Sequence, residues 1–162
     1  MRSRRAALLT ILGALTAGCG GGAAAPTTPT TTPSTAGTVY RQATVQLVQT
    51  FALDLDTGTF PPGLGGGADI WFNALTDQQR FLMPMTQSGA TVTLYGASAP
   101  GYSGCATVPV GLAPIPIDSL TAGVYVCATT SQGRIAVVRV DEPAGPSSAT
   151  AALTISYTTY DK

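Results

Sequence analysis

The sequence predicts an all-β domain, a small antiparallel β-sandwich or barrel. Three observations carry that expectation. Short segments alternate apolar and polar residues with period two. Clusters of Gly, Pro, Asp and Ser separate them. Residues 124–129 and 134–140 flank the turn Ser131-Gln132-Gly133 and carry apolar side chains on both faces, as central strands do. Seven or so short strands joined by turns make a sandwich or barrel, and no internal repeat is visible.

Taken in order, residues 44–54 read as one strand. Val45, Leu47, Phe51 and Leu53 share one parity, and Thr44, Gln46, Thr50 and Asp54 the other. Asp56-Thr57-Gly58 turns the chain, and Pro61-Pro62-Gly63 with Gly65-Gly66-Gly67 makes a loop that is neither helix nor inner strand. Residues 68–75 and 80–85 form two strands joined at Thr76-Asp77-Gln78-Gln79, the alternative being a short helix over 76–83. Ser88-Gly89 leads into a strand over 91–95. Residues 100–116, rich in Gly and Pro, read as an irregular crossing loop stapled at Cys105. Leu153, Ile155 and Tyr157 alternate with Thr154, Ser156 and Thr158, so the last strand is half-exposed.

The chain ahead of this domain carries an address. Arg2, Arg4 and Arg5 precede an uncharged run over residues 6–15. That run is shorter than the ~20 apolar residues a permanent membrane span requires. A basic head, a short apolar stretch and small residues before a cut form the signal-peptide pattern. The ending Leu15-Thr16-Ala17-Gly18-Cys19 resembles the bacterial lipoprotein lipobox, although Thr16 stands where that family usually has leucine. The resemblance implies a diacylglycerol on the Cys19 thiol, cleavage just before it and an acylated (palmitate-type) amino terminus. It also implies a firm membrane anchor, because two or more chains hold where one does not. Ser3-Arg4-Arg5-Ala6-Ala7-Leu8-Leu9 also resembles a twin-arginine export signal. Gly20 is unlike the aspartate that retains lipoproteins at an inner membrane, so the expected address is the cell envelope, on the outer membrane where there is one.

The expected organisation is therefore a signal peptide over 1–18, a lipidated Cys19 with a disordered linker over 19–38, and a β-rich extracytoplasmic domain over 39–162. The linker has no charge, aromatic or large aliphatic residue and cannot offset its chain entropy. Its prolines favour extended conformations reaching about 60 Å, a spacer with Thr/Ser-Pro sites open to O-glycosylation.

The leader holds three of the eight basic side chains, leaving five against eight acidic ones. That balance offers no basic patch for nucleic acid. With Cys19 lipidated, Cys105 and Cys127 remain. An exported pair favours a disulfide, worth about 3 kcal/mol through the loop it closes. Two sulfurs without any histidine make a poor zinc set.

The absence of histidine also removes the commonest general base and any Ser-His-Asp triad. Gly65-Gly66-Gly67 follows prolines and lacks the rest of a phosphate loop. Carboxylates remain: Asp54, Asp56 and Asp69. Asp54-Leu55-Asp56-Thr57-Gly58 begins like an EF-type Ca²⁺ loop but lacks its third ligand residue and its glutamate at the twelfth position. A glycosidase-type acid–base pair is the other catalytic reading; the plain one is aspartates accepting backbone N–H bonds at turns. Trp71, with Phe72 and Tyr95, reads either as an aromatic platform for sugar or peptide or as packing. Arg134 and Arg139 read as partners for the domain's own aspartates or as an anion site.

Two further resemblances concern the domain. Residues 122–127, Ala-Gly-Val-Tyr-Val-Cys, resemble the tyrosine-corner region of immunoglobulin domains, but Cys105 lies only 22 residues back and Trp71 precedes both cysteines. Residues 51–58, 68–72, 133–140 and 155–160 together look like a small β-rich module of exported bacterial proteins of unassigned function, a resemblance that carries no established activity over to any residue here. The expectation is a non-catalytic envelope module that binds protein or glycan through loops such as 61–67. The alternatives are an aspartate-based hydrolase and a Ca²⁺-stabilised carbohydrate-binding module. No cofactor is expected beyond the lipid.

Overall fold

A computed structural model describes residues 37–109, 111–147 and 151–162. The expected signal peptide, Cys19 and nearly all of the expected linker lie outside the described residues. Within them the chain forms nine strands and one short helix: β1 (Val39–Val48), β2 (Ala52–Leu53), β3 (Ile70–Thr76), β4 (Gln79–Pro84), β5 (Thr91–Gly96), α1 (Gly101–Ala106), β6 (Ile115–Pro116), β7 (Tyr125–Thr129), β8 (Ile135–Glu142) and β9 (Ala152–Tyr160). They build two antiparallel sheets, β1-β9-β8-β7-β5 and β2-β3-β4-β6. The observed fold is all-β as the alternation predicts, and of the expected sandwich or barrel it is the sandwich.

The core follows the period-two pattern. Leu47, Val126, Val138, Val140, Leu153, Ile155 and Tyr157 of the larger sheet meet Leu53, Ile70, Phe72 and Leu82 of the smaller, each at most 1% exposed. Burying a side chain of this size stabilises by about 1.5–3 kcal/mol, so this inner layer dominates folding. The hairpin β7–β8 pairs Tyr125 with Arg139 through Thr129 with Ile135 and sits inside the larger sheet, as its two apolar faces require. The residues between β3 and β4 make a turn rather than a helix.

Three expectations change. Residues 44–54 are not one strand: β1 stops at Val48, and β2 joins the other sheet. The break is at Thr50, whose φ of 66° lies in the left-handed region that β-branched residues avoid. Its N–H donates to the Phe72 carbonyl at 2.7 Å, which holds the crossing in place. Phe51 is thereby turned outward, half exposed. Secondly, Cys105 sits on α1, not on an irregular loop. Thirdly, Thr38 does not belong to the linker, because its carbonyl accepts the Asp161 N–H at 2.9 Å.

The disulfide Cys105–Cys127 is present and ties α1 to β7. It joins a helix to one sheet rather than sheet to sheet, so the immunoglobulin likeness around Tyr125 does not extend to the architecture.

Candidate functional site

The fold brings Asp54, Asp56 and Asp69 together. All three are buried, and each offers an oxygen within 4.8 Å of the others. Asp54 follows β2 and opens the turn. Its Oδ1 accepts the N–H groups of Asp56 (2.8 Å) and Thr57 (3.0 Å), and its carbonyl accepts that of Gly58 (2.7 Å). Gly58 has φ 69°, in the left-handed region that favours glycine, and a Cβ there would meet only the movable end of the Arg41 side chain.

Asp69 immediately precedes β3. Its Oδ2 accepts the Leu55 N–H at 2.7 Å, and its Oδ1 accepts the Ser131 N–H at 2.6 Å. One carboxylate therefore ties the aspartate turn to the β7–β8 hairpin, 62 residues away. Burial pushes the Asp69 carboxyl up to about 6, against the backbone N–H groups of Ser131 and Leu55, with the negative Asp56 adding to the rise. Thr159, on β9, closes the same corner by donating to the Leu55 carbonyl at 2.8 Å.

Asp56 differs. Neither of its carboxylate oxygens has a hydrogen-bond donor. Its neutralising charge is Arg134, whose Nη1 lies 3.2 Å from Oδ1, a contact of charge without hydrogen-bond alignment. Arg134 also donates from Nε to Asp161 at 2.9 Å and lies 3.7 Å from the centre of the Tyr40 ring. The cluster is thus a buried cap at one end of the sandwich, built from both sheets and compensated by one arginine.

Four of the cluster's oxygens are acceptors for, or paired with, fixed groups of the chain, and none of the three carboxylates is exposed. For Ca²⁺, which takes 6–8 oxygens, the donor set is thin, and Arg134 already occupies the cation's electrostatic role. The Asp56 oxygens lack a hydrogen-bond donor among the described residues.

The other expected positions are dispersed. Ile70 and Phe72 point into the core, so Trp71 between them points the other way, against Ala52, Ala68 and Met85. Phe72 is fully buried and Tyr95 is exposed on β5, so the three aromatics form no common platform; neighbours on a strand face opposite ways. Arg139 pairs with Asp141 at 2.9 Å.

One feature was not legible. Phe51 and Phe60 meet edge to face at 6.2 Å and, with Thr50, Ala52, Pro61, Pro62 and Gly63, line an open cleft of about 440 Å³. A second hollow of about 210 Å³ lies along Leu64, the three glycines 65–67, Met85 and Gln87. The loop 61–67 singled out by its glycines and prolines thus borders both. The strand break at Thr50 aims Phe51 at the cleft, and only the left-handed Thr50 produces it.

Compared with protein-family models, with curated proteins and with solved structures, the chain shows no match.

Proposed function

We propose that this is a lipid-anchored protein of the cell envelope whose β domain is a non-catalytic binding or structural module. The supporting observation is the use of the aspartates: Asp54 and Asp69 accept backbone N–H groups, and Asp56 is paired with Arg134. Carboxylates committed in this way favour a recognition role over hydrolysis. The recognition surface is the cleft of Phe51, Phe60, Pro61 and Pro62, whose apolar walls suit a proline-containing or aliphatic protein segment, or the apolar face of a sugar.

The test has two arms. Mass spectrometry of protein from its native envelope finds a lipid-modified Cys19 as the first residue; an unmodified amino terminus upstream of it overturns the anchor. Crosslinking in the native envelope recovers one reproducible partner with the wild type, and Phe51→Ser/Phe60→Ser loses it. Equal recovery by the double variant overturns the cleft.

A Ca²⁺-stabilised module is the second reading, favoured only by the donorless oxygens of Asp56. It requires Ca²⁺ to raise the melting temperature and chelator to lower it; coincident curves remove it.

A further inference from the structure

Exposed sheet edges invite pairing, and proteins blunt them. Three of the four edges here are blunted among the described residues. β2 and β6, the edges of the smaller sheet, are two residues each. β5 is covered: Val92 donates to the Gly111 carbonyl at 2.9 Å, and Thr93 Oγ1 to the Pro109 carbonyl at 3.0 Å. Gly111 fits so tightly there that a Cβ would lie 2.1 Å from the Val92 oxygen.

The fourth edge, β1, is different. It is ten residues long and packs substantially only on β9. Its polarity can be read from one bond. Gln49 donates to Ala151 at 3.0 Å, in register with Val48 opposite Ala152 and Leu47 opposite Leu153. Hydrogen bonding alternates along an antiparallel pair, so Leu47, Val45, Ala43 and Arg41 bond to β9. The N–H and C=O groups of Gln42, Thr44 and Gln46 therefore point outward. These three are exposed and uncharged, with no Pro or Lys guarding the edge.

We propose that β1 pairs antiparallel with β1 of a second copy of this chain, about a two-fold axis at Thr44, joining two five-stranded sheets into one of ten strands. The occupant follows from self-complementarity. About Thr44, Gln42 meets Gln46 of the other copy and Ala43 meets its Val45, while the outward N–H and C=O groups face one another in step. Polar residues directly opposite stabilise such pairs, and no like charges oppose each other. The exposed ends also match: Tyr40, 46% exposed, comes toward Val48, 41% exposed. A single strand pair buries less than the roughly 1,200 Å² of stable complexes, so the dimer is weak and reversible.

The test is sedimentation equilibrium on the 162-residue chain carrying Cys19→Ser, from about 10 µM to about 1 mM. The wild-type edge gives a mass rising toward twice the monomer. Thr44→Lys puts two like charges on the axis, gives up the Thr44–Ser156 hydroxyl contact and stays monomeric while still folded by its cooperative melting; Gln46→Pro, which deletes an outward N–H tolerated at an edge, does the same. A wild-type edge that stays monomeric throughout, or folded variants that associate as it does, overturns the proposal.

Discussion

Asp69 lets burial and hydrogen bonding be weighed against each other. Its carboxyl accepts two short backbone N–H bonds, which favour ionisation, yet burial raises its pKa from 3.8 to about 6. Between these values the folded chain holds a proton that the unfolded chain releases. Stability from this group is therefore fully present below the unfolded value and is lost as pH rises through the folded one. A rise of this size corresponds to about 3 kcal/mol. The perturbation is Asp69→Asn, which removes the titration while nearly keeping the shape. The assay is urea unfolding followed through the single tryptophan, Trp71, in chelator-containing buffer so that protons are the only ligand varied. The wild-type stability minus that of the variant should fall by about 3 kcal/mol between about pH 4 and pH 7, a midpoint change of roughly 1–2 M urea. A difference that is flat, or that grows with pH, would refute the reasoning: the two N–H bonds would then hold the carboxyl down despite its burial.

Three other outcomes follow from the same structure. Opening Cys105–Cys127, by reductant or by Cys105→Ser/Cys127→Ser, frees a loop of 22 residues and should lower stability by about 3 kcal/mol in denaturant titrations. Thr50→Gly should raise stability by up to about 1 kcal/mol, because Thr50 is exposed and its left-handed backbone suits glycine; a loss would mean the side chain contributes more than its φ costs. Arg134→Gln should lower the melting temperature, and adding Asp56→Asn should recover part of the loss, since an uncompensated buried carboxylate costs more than none; a double variant as unstable as the single one would show no coupling.

What the sequence disclosed was local. Alternation located the strands, and two apolar faces marked β7 and β8 as central. The pairing of Cys105 with Cys127 and the turn at Asp56-Thr57-Gly58 were legible because residue types suffice for both. The split between β1 and β2 was not, because Val45, Leu47, Phe51 and Leu53 keep one parity across a left-handed Thr50, and parity is blind to which sheet a residue joins. The aspartate cap was half visible. Proximity of Asp54 and Asp56 is written in the chain, whereas the Ser131 N–H and the Arg134 charge arrive from another sheet with no signal in their spacing.

The first and last described residues leave the domain together. Thr38 is bonded to Asp161, and Gly37 lies against the Asp161 carbonyl and the Tyr102 ring, which itself meets Tyr160 edge to face. Tension applied between the two ends would unzip β1 from β9 one rung at a time, the weak way to open antiparallel strands. Tension between Gly37 and a cargo gripped at Phe51 would instead run lengthwise along β1 and be carried by its covalent backbone, leaving the ladder to β9 unloaded. The domain is thus mechanically frail to a pull on its tail and stiff to a pull from the Phe51 end.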